Sequence, residues 1–349
     1  MKKNFYSLII ITYIAISLIL ILSPLSIDLY TSLKGNYSIW DNKYKLNNYK
    51  NVPWAKKHFE EFKGLKISYF DYYIWRRNDF HGKTIRIKNG FRLNNNNEKF
   101  NLKKDIWVFG GSTIWGTGAN NENTIPSLIE KITGISTLNL GETGYQTSQS
   151  LNLLVKNLVN HKPKKIIFYD GFNDVFHKCR SMNDYFQSAE ESRIQELVNR
   201  NFFLYSENLL IGPEKFLRKL FVKSKSNEKK FNCNMNKDKA LKIAKIFVEN
   251  WLIAKSIADR HNINFIGVLQ PTIFSSKSKK DNLDINHELE VHFKILYDMI
   301  KIELENKQFN YLNLENPFSN NENIFIDACH LSPNGNLEIA QKIINSRLF

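Results

Sequence analysis

From about residue 104 onward, short apolar runs alternate with amphipathic stretches, and this alternation leaves the chain few architectures. Residues 105–109 read as a buried strand, 124–133 as a helix, 135–140 as a strand, 146–160 as a helix and 165–170 as another strand. A helix at about 238–260, the strand NFIGVLQ at 264–270, a helix at 287–306, YLNL at 311–314 and a helix from about Pro333 complete the series. Strands that alternate with helices pair in parallel, and the helices that connect them cover both faces of the sheet, giving an α/β domain. Residues 175–237 break the rhythm: they are charged, locally lysine-rich (KSKSNEKK) and carry the aromatic cluster FFLY. They read as an insertion over the sheet edge, with the makings of a lid.

Two segments precede this domain. Residues 5–27, FYSLIIITYIAISLILILSPLSI, carry no charge. As a helix this run spans about 34 Å, enough to cross a hydrocarbon core of about 30 Å. A cleaved secretory signal has a shorter apolar core and an A-x-A-like site, so an uncleaved transmembrane anchor is expected. Lys2 and Lys3 precede the run and Asp28 follows it. The positive-inside rule then places residues 1–27 as a cytoplasmic tip and single-pass anchor, with everything after them outside the cytoplasm. Residues 28–103 form a polar, aromatic-rich accessory segment in which TIRIKNGFRL alternates around Asn89 and Gly90, a hairpin signal with a type I′ turn. The domain itself is expected to span 104–349.

Composition supports a folded chain. Of 349 residues, 42% are hydrophobic and 24% charged, which excludes a disordered or fibrous protein. The net charge of +15 invites a polyanionic partner. Asparagine makes up about one residue in eight, alongside abundant Lys and Ile. That bias is expected of AT-rich coding, so the charge is read as solvated surface, with no nucleic acid as partner. Cys179, Cys233 and Cys329 fit no zinc spacing. An exported location permits a disulfide between Cys179 and Cys233, which bracket the insertion, although nothing in the sequence fixes their separation.

The chemistry-bearing residues fall in four blocks. Gly110-Gly111-Ser112 ends the first strand and exposes a hydroxyl where a helix begins, close to a terminus that favours negative charge. Asn139-Leu140-Gly141-Glu142-Thr143-Gly144 follows the second strand, and Gly171-Phe172-Asn173-Asp174 follows the third. Asp327-Ala328-Cys329-His330 precedes the last helix. An Asp three residues before a His can orient the imidazole through Nδ1 and leave Nε2 free as a base. Loops at the carboxyl ends of parallel strands are where ligands bind in such sheets. Cys329 reads as a buried space-filling thiol, Asp174 as a loop cap, and His161, His177, His261, His287 and His292 as surface or packing residues.

The order and spacing of these blocks resemble the SGNH hydrolases, the GDSL esterase/lipase superfamily, over about residues 104–345. The first block matches Gly-Asp-Ser with Gly111 in place of Asp. The second-block glycine falls by spacing on Gly144, with Gly141 the other candidate. The third, Gly-x-Asn-Asp, and the last, Asp-x-x-His, are both present. The resemblance implies a flavodoxin-like, three-layer α/β/α parallel sheet. It also implies a serine esterase with Ser112 as nucleophile, His330 as general base and acid, and Asp327 as its orienter. The Ser112 N–H, the Gly144 N–H and the Asn173 side-chain amide would form the oxyanion hole, with no metal or organic cofactor. An anchored domain facing the cell envelope is expected to act on acyl esters, O-acetyl groups of envelope carbohydrate foremost, or on a small ester substrate. An O-acyltransferase using the same triad on cell-surface glycan, and a catalytically silent glycan-binding or assembly protein, are the alternatives. The complete set of Ser112, Asn173, Asp327 and His330 speaks against the silent protein.

Overall fold

The computed structural model describes residues 11–13, 15, 40–70, 74–180, 231–277, 283, 285–318 and 324–349. Residues 39–191 and 231–349 belong to one compact unit, whose architecture follows. The uncharged run of residues 5–27 lies outside the described residues, apart from 11–13 and 15, which are helical. Among the described residues no helix is long and apolar enough to cross a membrane. KSKSNEKK and FFLY also lie outside them.

After two single-turn helices come α1 (Ala55–Lys63) and an antiparallel ribbon of β1 (Ile67–Phe70) and β2 (Ile74–Arg77). A small antiparallel sheet follows: β3 (Phe80–His81), β4 (Arg86–Lys88) and β5 (Phe91–Arg92). Between β4 and β5, Asn89 and Gly90 take φ of +52° and +78°, as a primed turn requires. The main series runs β6 (Ile106–Gly110), α2 (Ser112–Trp115), α3 (Ile125–Thr133), β7 (Thr137–Asn139), α4 (Thr147–Leu158), β8 (Lys165–Asp170) and α5 (Phe172–Arg180). It continues with α6 (Lys237–Arg260), β9 (Asn264–Leu269), α7 (Leu289–Asn306), β10 (Leu312–Asn313) and α8 (Pro333–Ile344). These five strands form one parallel sheet in the order β7-β6-β8-β9-β10. Numbered along the chain, that is the 2-1-3-4-5 order of flavodoxin-like sheets. The strands and helices read from the alternation are present, and their ends differ by no more than two residues.

The period of two along each strand sorts the core. Ile106 and Val108 of β6, Ile167 and Tyr169 of β8, and Ile266 and Val268 of β9 join Leu128, Ile129, Ile339 and Ile343 of α3 and α8 in a largely aliphatic layer. The intervening residues Trp107, Phe109, Phe168 and Phe265 form a continuous aromatic row on the opposite face. Trp251 of α6, its ring tilted against Phe247, covers that side and donates to Asp170 at 3.1 Å.

Helix α5 carries the chain through residue 175 to Arg180, so the break in rhythm falls inside a helix. Cys179 near its end is disulfide-bonded to Cys233, with Cα atoms 5.3 Å apart across a sequence separation of 54. The stretch between them is outside the described residues except at its two ends.

Residues 40–100 are built into the α/β unit. Three arginines of this segment, Arg76, Arg77 and Arg92, are at most 6% exposed. Arg92 donates to the carbonyls of Trp115 (3.1 Å), Gly116 (2.7 Å) and Ala119 (2.5 Å), which close the turn after α2. Arg77 pairs with the buried Glu142 carboxylate, and both Arg77 and Arg92 lie over the Trp115 ring, at 4.1 and 4.4 Å. Burial, reinforced by Arg77, lowers the Arg92 pKa to about 9, still charged at neutral pH. A buried cation costs several kcal/mol unless its donors are matched, and here backbone carbonyls match them. Arg92→Met is therefore expected to lower the unfolding free energy by about 3 kcal/mol or more, since it strands several carbonyls at once. Urea unfolding measures this. A loss under about 1 kcal/mol would mean that water reaches those carbonyls.

Candidate active site

The four blocks meet at the carboxyl ends of β6, β7 and β8. Gly111 is the N-cap of α2, which places Ser112 at its first position. Ser112 Oγ lies 2.7 Å from His330 Nε2, and His330 Nδ1 lies 2.6 Å from Asp327 Oδ2. Asp327 Oδ1 accepts the backbone N–H groups of Cys329 (3.0 Å) and His330 (2.8 Å), so the carboxylate and the imidazole are held by one turn of chain. Thr113 Oγ1 donates to the Cys329 carbonyl at 3.2 Å and ties that turn to α2. The Trp40 ring meets the His330 ring edge to face at 5.6 Å.

Asp327 is half-buried, and the desolvation this brings would alone raise its pKa. The facing His330 ring, the hydrogen bond from its side chain and the two backbone N–H groups outweigh burial and lower the pKa to about 2. The carboxylate therefore stays ionised where an imidazole titrates. Cys329 lies between them, its Sγ 3.7 Å from His330 Nδ1. Burial, and then Asp327, push this thiol well above its ordinary pKa, which keeps it protonated. Asp327, Cys329 and His330 are the one set of donors close enough to hold a metal among the described residues. Their best atoms, Asp327 Oδ2 and His330 Nδ1, already bond each other.

The second block presents a backbone donor. Leu140 N–H goes to the Val108 carbonyl, Gly141 N–H to Asn139 Oδ1, Glu142 N–H to the Gly110 carbonyl and Thr143 N–H to Glu142 Oε1. Gly144, at φ +79° where a side chain would be strained, has no acceptor for its N–H among the described residues. Of the two candidate glycines, Gly144 has the open donor and Gly141 does not. Ser112, first in its helix, likewise has no intrahelical acceptor. Asn173 Nδ2 donates one N–H to the Tyr145 carbonyl at 2.8 Å and has a second to offer.

Gly111, where the family pattern has Asp, sits against this amide. A Cβ there would lie 2.4 Å from Asn173 Nδ2 and 3.4 Å from the Tyr145 carbonyl. Asp174 caps α4, accepting from Thr147 N–H at 3.1 Å and Thr147 Oγ1 at 2.8 Å, with Lys178 beside it. His161 packs on Trp107, His261 and His287 are exposed, and the buried His292 accepts from Asn234 N–H. His177 is half-buried, with Nε2 3.9 Å from where a Gly144 Cβ would lie. Trp40, Trp75, Arg77 and Glu142 were not legible as site residues. Local patterning marks them only as aromatic or charged, and their partners lie far along the chain.

No protein-family model matches the sequence, and a search of curated proteins finds no match. Among solved structures, a member of the lipolytic protein G-D-S-L family from Veillonella parvula matches at 12% identity and TM-score 0.41, over 69% of this chain and 97% of its own. An acetyl xylan esterase matches at 13% and 0.39, over 68% and 98%. A carbohydrate acetylesterase family member from Sinorhizobium meliloti matches at 13% and 0.34, over 69% and 95%.

The Asp327 carboxyl carries a pH signature. Held below its unfolded value, it stabilises the fold above about pH 4 and ceases to do so as the pH falls through about 2. Wild type should exceed Asp327→Asn by about 2 kcal/mol near neutrality, a margin that closes toward pH 2. Unfolding measured for both proteins across that range checks it; a margin that does not change with pH would exclude the ionic contribution.

Proposed function

We propose that the chain is a serine esterase of the SGNH type, and the observation that carries this reading is the hydrogen-bonded series Ser112 Oγ, His330 Nε2, His330 Nδ1, Asp327 Oδ2. In this reading Ser112 Oγ attacks the ester carbonyl carbon while His330 Nε2 takes its proton. The negative oxygen of the tetrahedral intermediate accepts from the Ser112 N–H, the Gly144 N–H and the second N–H of Asn173 Nδ2. Each such donor is typically worth about 2.7 to 4 kcal/mol in the transition state. Collapse expels the alcohol, which receives the proton from His330, and leaves an acyl-Ser112 ester. Water, deprotonated by His330, attacks that ester and releases the acid and free Ser112. The ionised Asp327 fixes the imidazole tautomer and stabilises the imidazolium.

For substrate and place, the proposal is an O-acetyl ester of envelope carbohydrate, met by a domain anchored through residues 5–27 and exposed outside the cytoplasm. The uncharged length of that run supports the anchor. The Cys179–Cys233 disulfide supports an oxidising compartment, since such bonds are rare in the cytosol.

Ser112→Ala should lower p-nitrophenyl acetate hydrolysis by several orders of magnitude with the fold retained, and acetate release from an acetylated polysaccharide in parallel. More than about a tenth of wild-type turnover remaining in the variant would remove Ser112 from the role. For placement, a reporter active only outside the cytoplasm, fused after Phe349, should be active, and the protein should stay with membranes after alkaline washing. Activity of a cytoplasmic reporter instead would reverse the orientation.

A further inference from the structure

Trp75 belongs to the antiparallel ribbon of β1 and β2, outside every block that carries the chemistry, yet it is 2% exposed and its indole Nε1 donates to the Thr143 carbonyl at 2.9 Å. That carbonyl and the Gly144 N–H are two ends of the same peptide unit. A trans peptide is planar, with C=O and N–H pointing in opposite directions, and the chain has no cis peptide bond among its described residues. Gripping the oxygen therefore sets the direction of the hydrogen.

We propose that Trp75 is a positioning residue that aims the Gly144 N–H at the substrate oxygen. The inference rests on the reading of Gly144 as an oxyanion donor and adds the group that holds it.

Further contacts fix the indole and the loop around this peptide. Tyr145, directly after Gly144, donates its hydroxyl to the Trp75 carbonyl at 2.8 Å, and its ring meets the indole edge to face at 5.2 Å. Two residues along the same strand, Arg77 pairs with Glu142, and its backbone N–H donates to Glu142 Oε2 at 3.0 Å. Glu142 in turn accepts the Thr143 N–H at 2.7 Å, fixing the other peptide of Thr143. The Thr143–Gly144 peptide is the centre of a turn closed by the Tyr145 N–H on the Glu142 carbonyl at 3.3 Å, and the central peptide of such a turn can flip without breaking that bond. Its glycine tolerates many backbone conformations, and its N–H makes no bond among the described residues. Trp75 thus selects one orientation of a peptide that the turn bond alone does not fix. Preorganised donors act because they need not reorient when charge develops, so an unrestrained peptide loses rate without losing ground-state binding.

The test replaces Trp75 in the full-length protein with Phe, and separately, by site-specific incorporation, with β-(3-benzothienyl)alanine, which keeps the bicyclic shape but has sulfur in place of N–H. Both are assayed on p-nitrophenyl acetate beside Ser112→Ala and Asn173→Ala. The expected result for the benzothienyl variant is a fall in kcat of about tenfold or more with KM within about twofold, and a Tm lowered no further than in Trp75→Phe, because a donor is misaimed and not removed. Affinity for a boronic acid that forms a tetrahedral adduct with Ser112 should fall by the same factor. An unchanged kcat in that variant, with Asn173→Ala still impaired, would overturn the role of Trp75 and leave the esterase reading standing. A loss seen only in Trp75→Phe and matched by a lowered Tm would also overturn it, showing that the ring merely packs. Full activity in Ser112→Ala would instead bring down the esterase reading.

Discussion

The parallel register of β6 between β7 and β8 is the constraint on which the candidate site depends. Gly110 pairs with Tyr169, so β6 and β8 end within one residue of the same level, and the chain turns from both into helices that begin at Ser112 and Phe172. β7 is shorter, ending at Asn139 opposite Val108. The loop after it continues the ladder through Leu140 N–H to Val108 and Glu142 N–H to Gly110, which lifts the second block to the height of the other two. A slip of one residue would turn every side chain of a strand to the other face. It would exchange the aliphatic and aromatic layers on which α3, α8 and α6 rest, so the same burial that stabilises the sheet also fixes where Ser112 and Asn173 emerge.

Three loops at one level still need aiming, and much of that comes from outside the sheet. Arg92 holds the turn after α2 by its carbonyls, and Arg77 holds Glu142 while lying over Trp115. Arginine suits these places because its planar fork reaches several carbonyls at once and stacks on rings. A lysine, a compact point charge, would satisfy fewer acceptors and leave its own charge poorly matched. Residues 40–70 and 74–103 are thus continuous with the unit that carries the site.

The division between what was legible and what was not follows the range of the interactions. Strands and helices were readable because burial on a sheet or a helix face imposes a period of two or about 3.6 within a single window. Ser112, Asn173, Asp327 and His330 were readable because each sits in a short motif with its neighbours fixed by local geometry. Trp75, Arg77 and Arg92 were not, since their partners lie at separations of 68, 65 and 23 residues, and no local pattern records a contact with a distant carbonyl or carboxylate. The Cys179–Cys233 bond was open for the same reason: only the fold of α5 and the start of α6 brings the two Cα atoms to 5.3 Å.

The departure in the first block has a local physical reason. The pattern calls for Asp where Gly111 stands, and the volume that a Cβ would need at that position is taken by Asn173 Nδ2. The amide is drawn there by the Tyr145 carbonyl, so the first, second and third blocks touch through one side-chain nitrogen. A side chain at 111 would displace a terminal group, which is sterically cheap, but it would break the bond that orients Asn173 and turn away its remaining N–H. The missing carboxylate and the position of the amide are therefore one feature. Gly111 leaves the hydrogen-bonded series of Ser112, His330 and Asp327 untouched and changes how closely the Asn173 amide can approach the turn that carries Ser112.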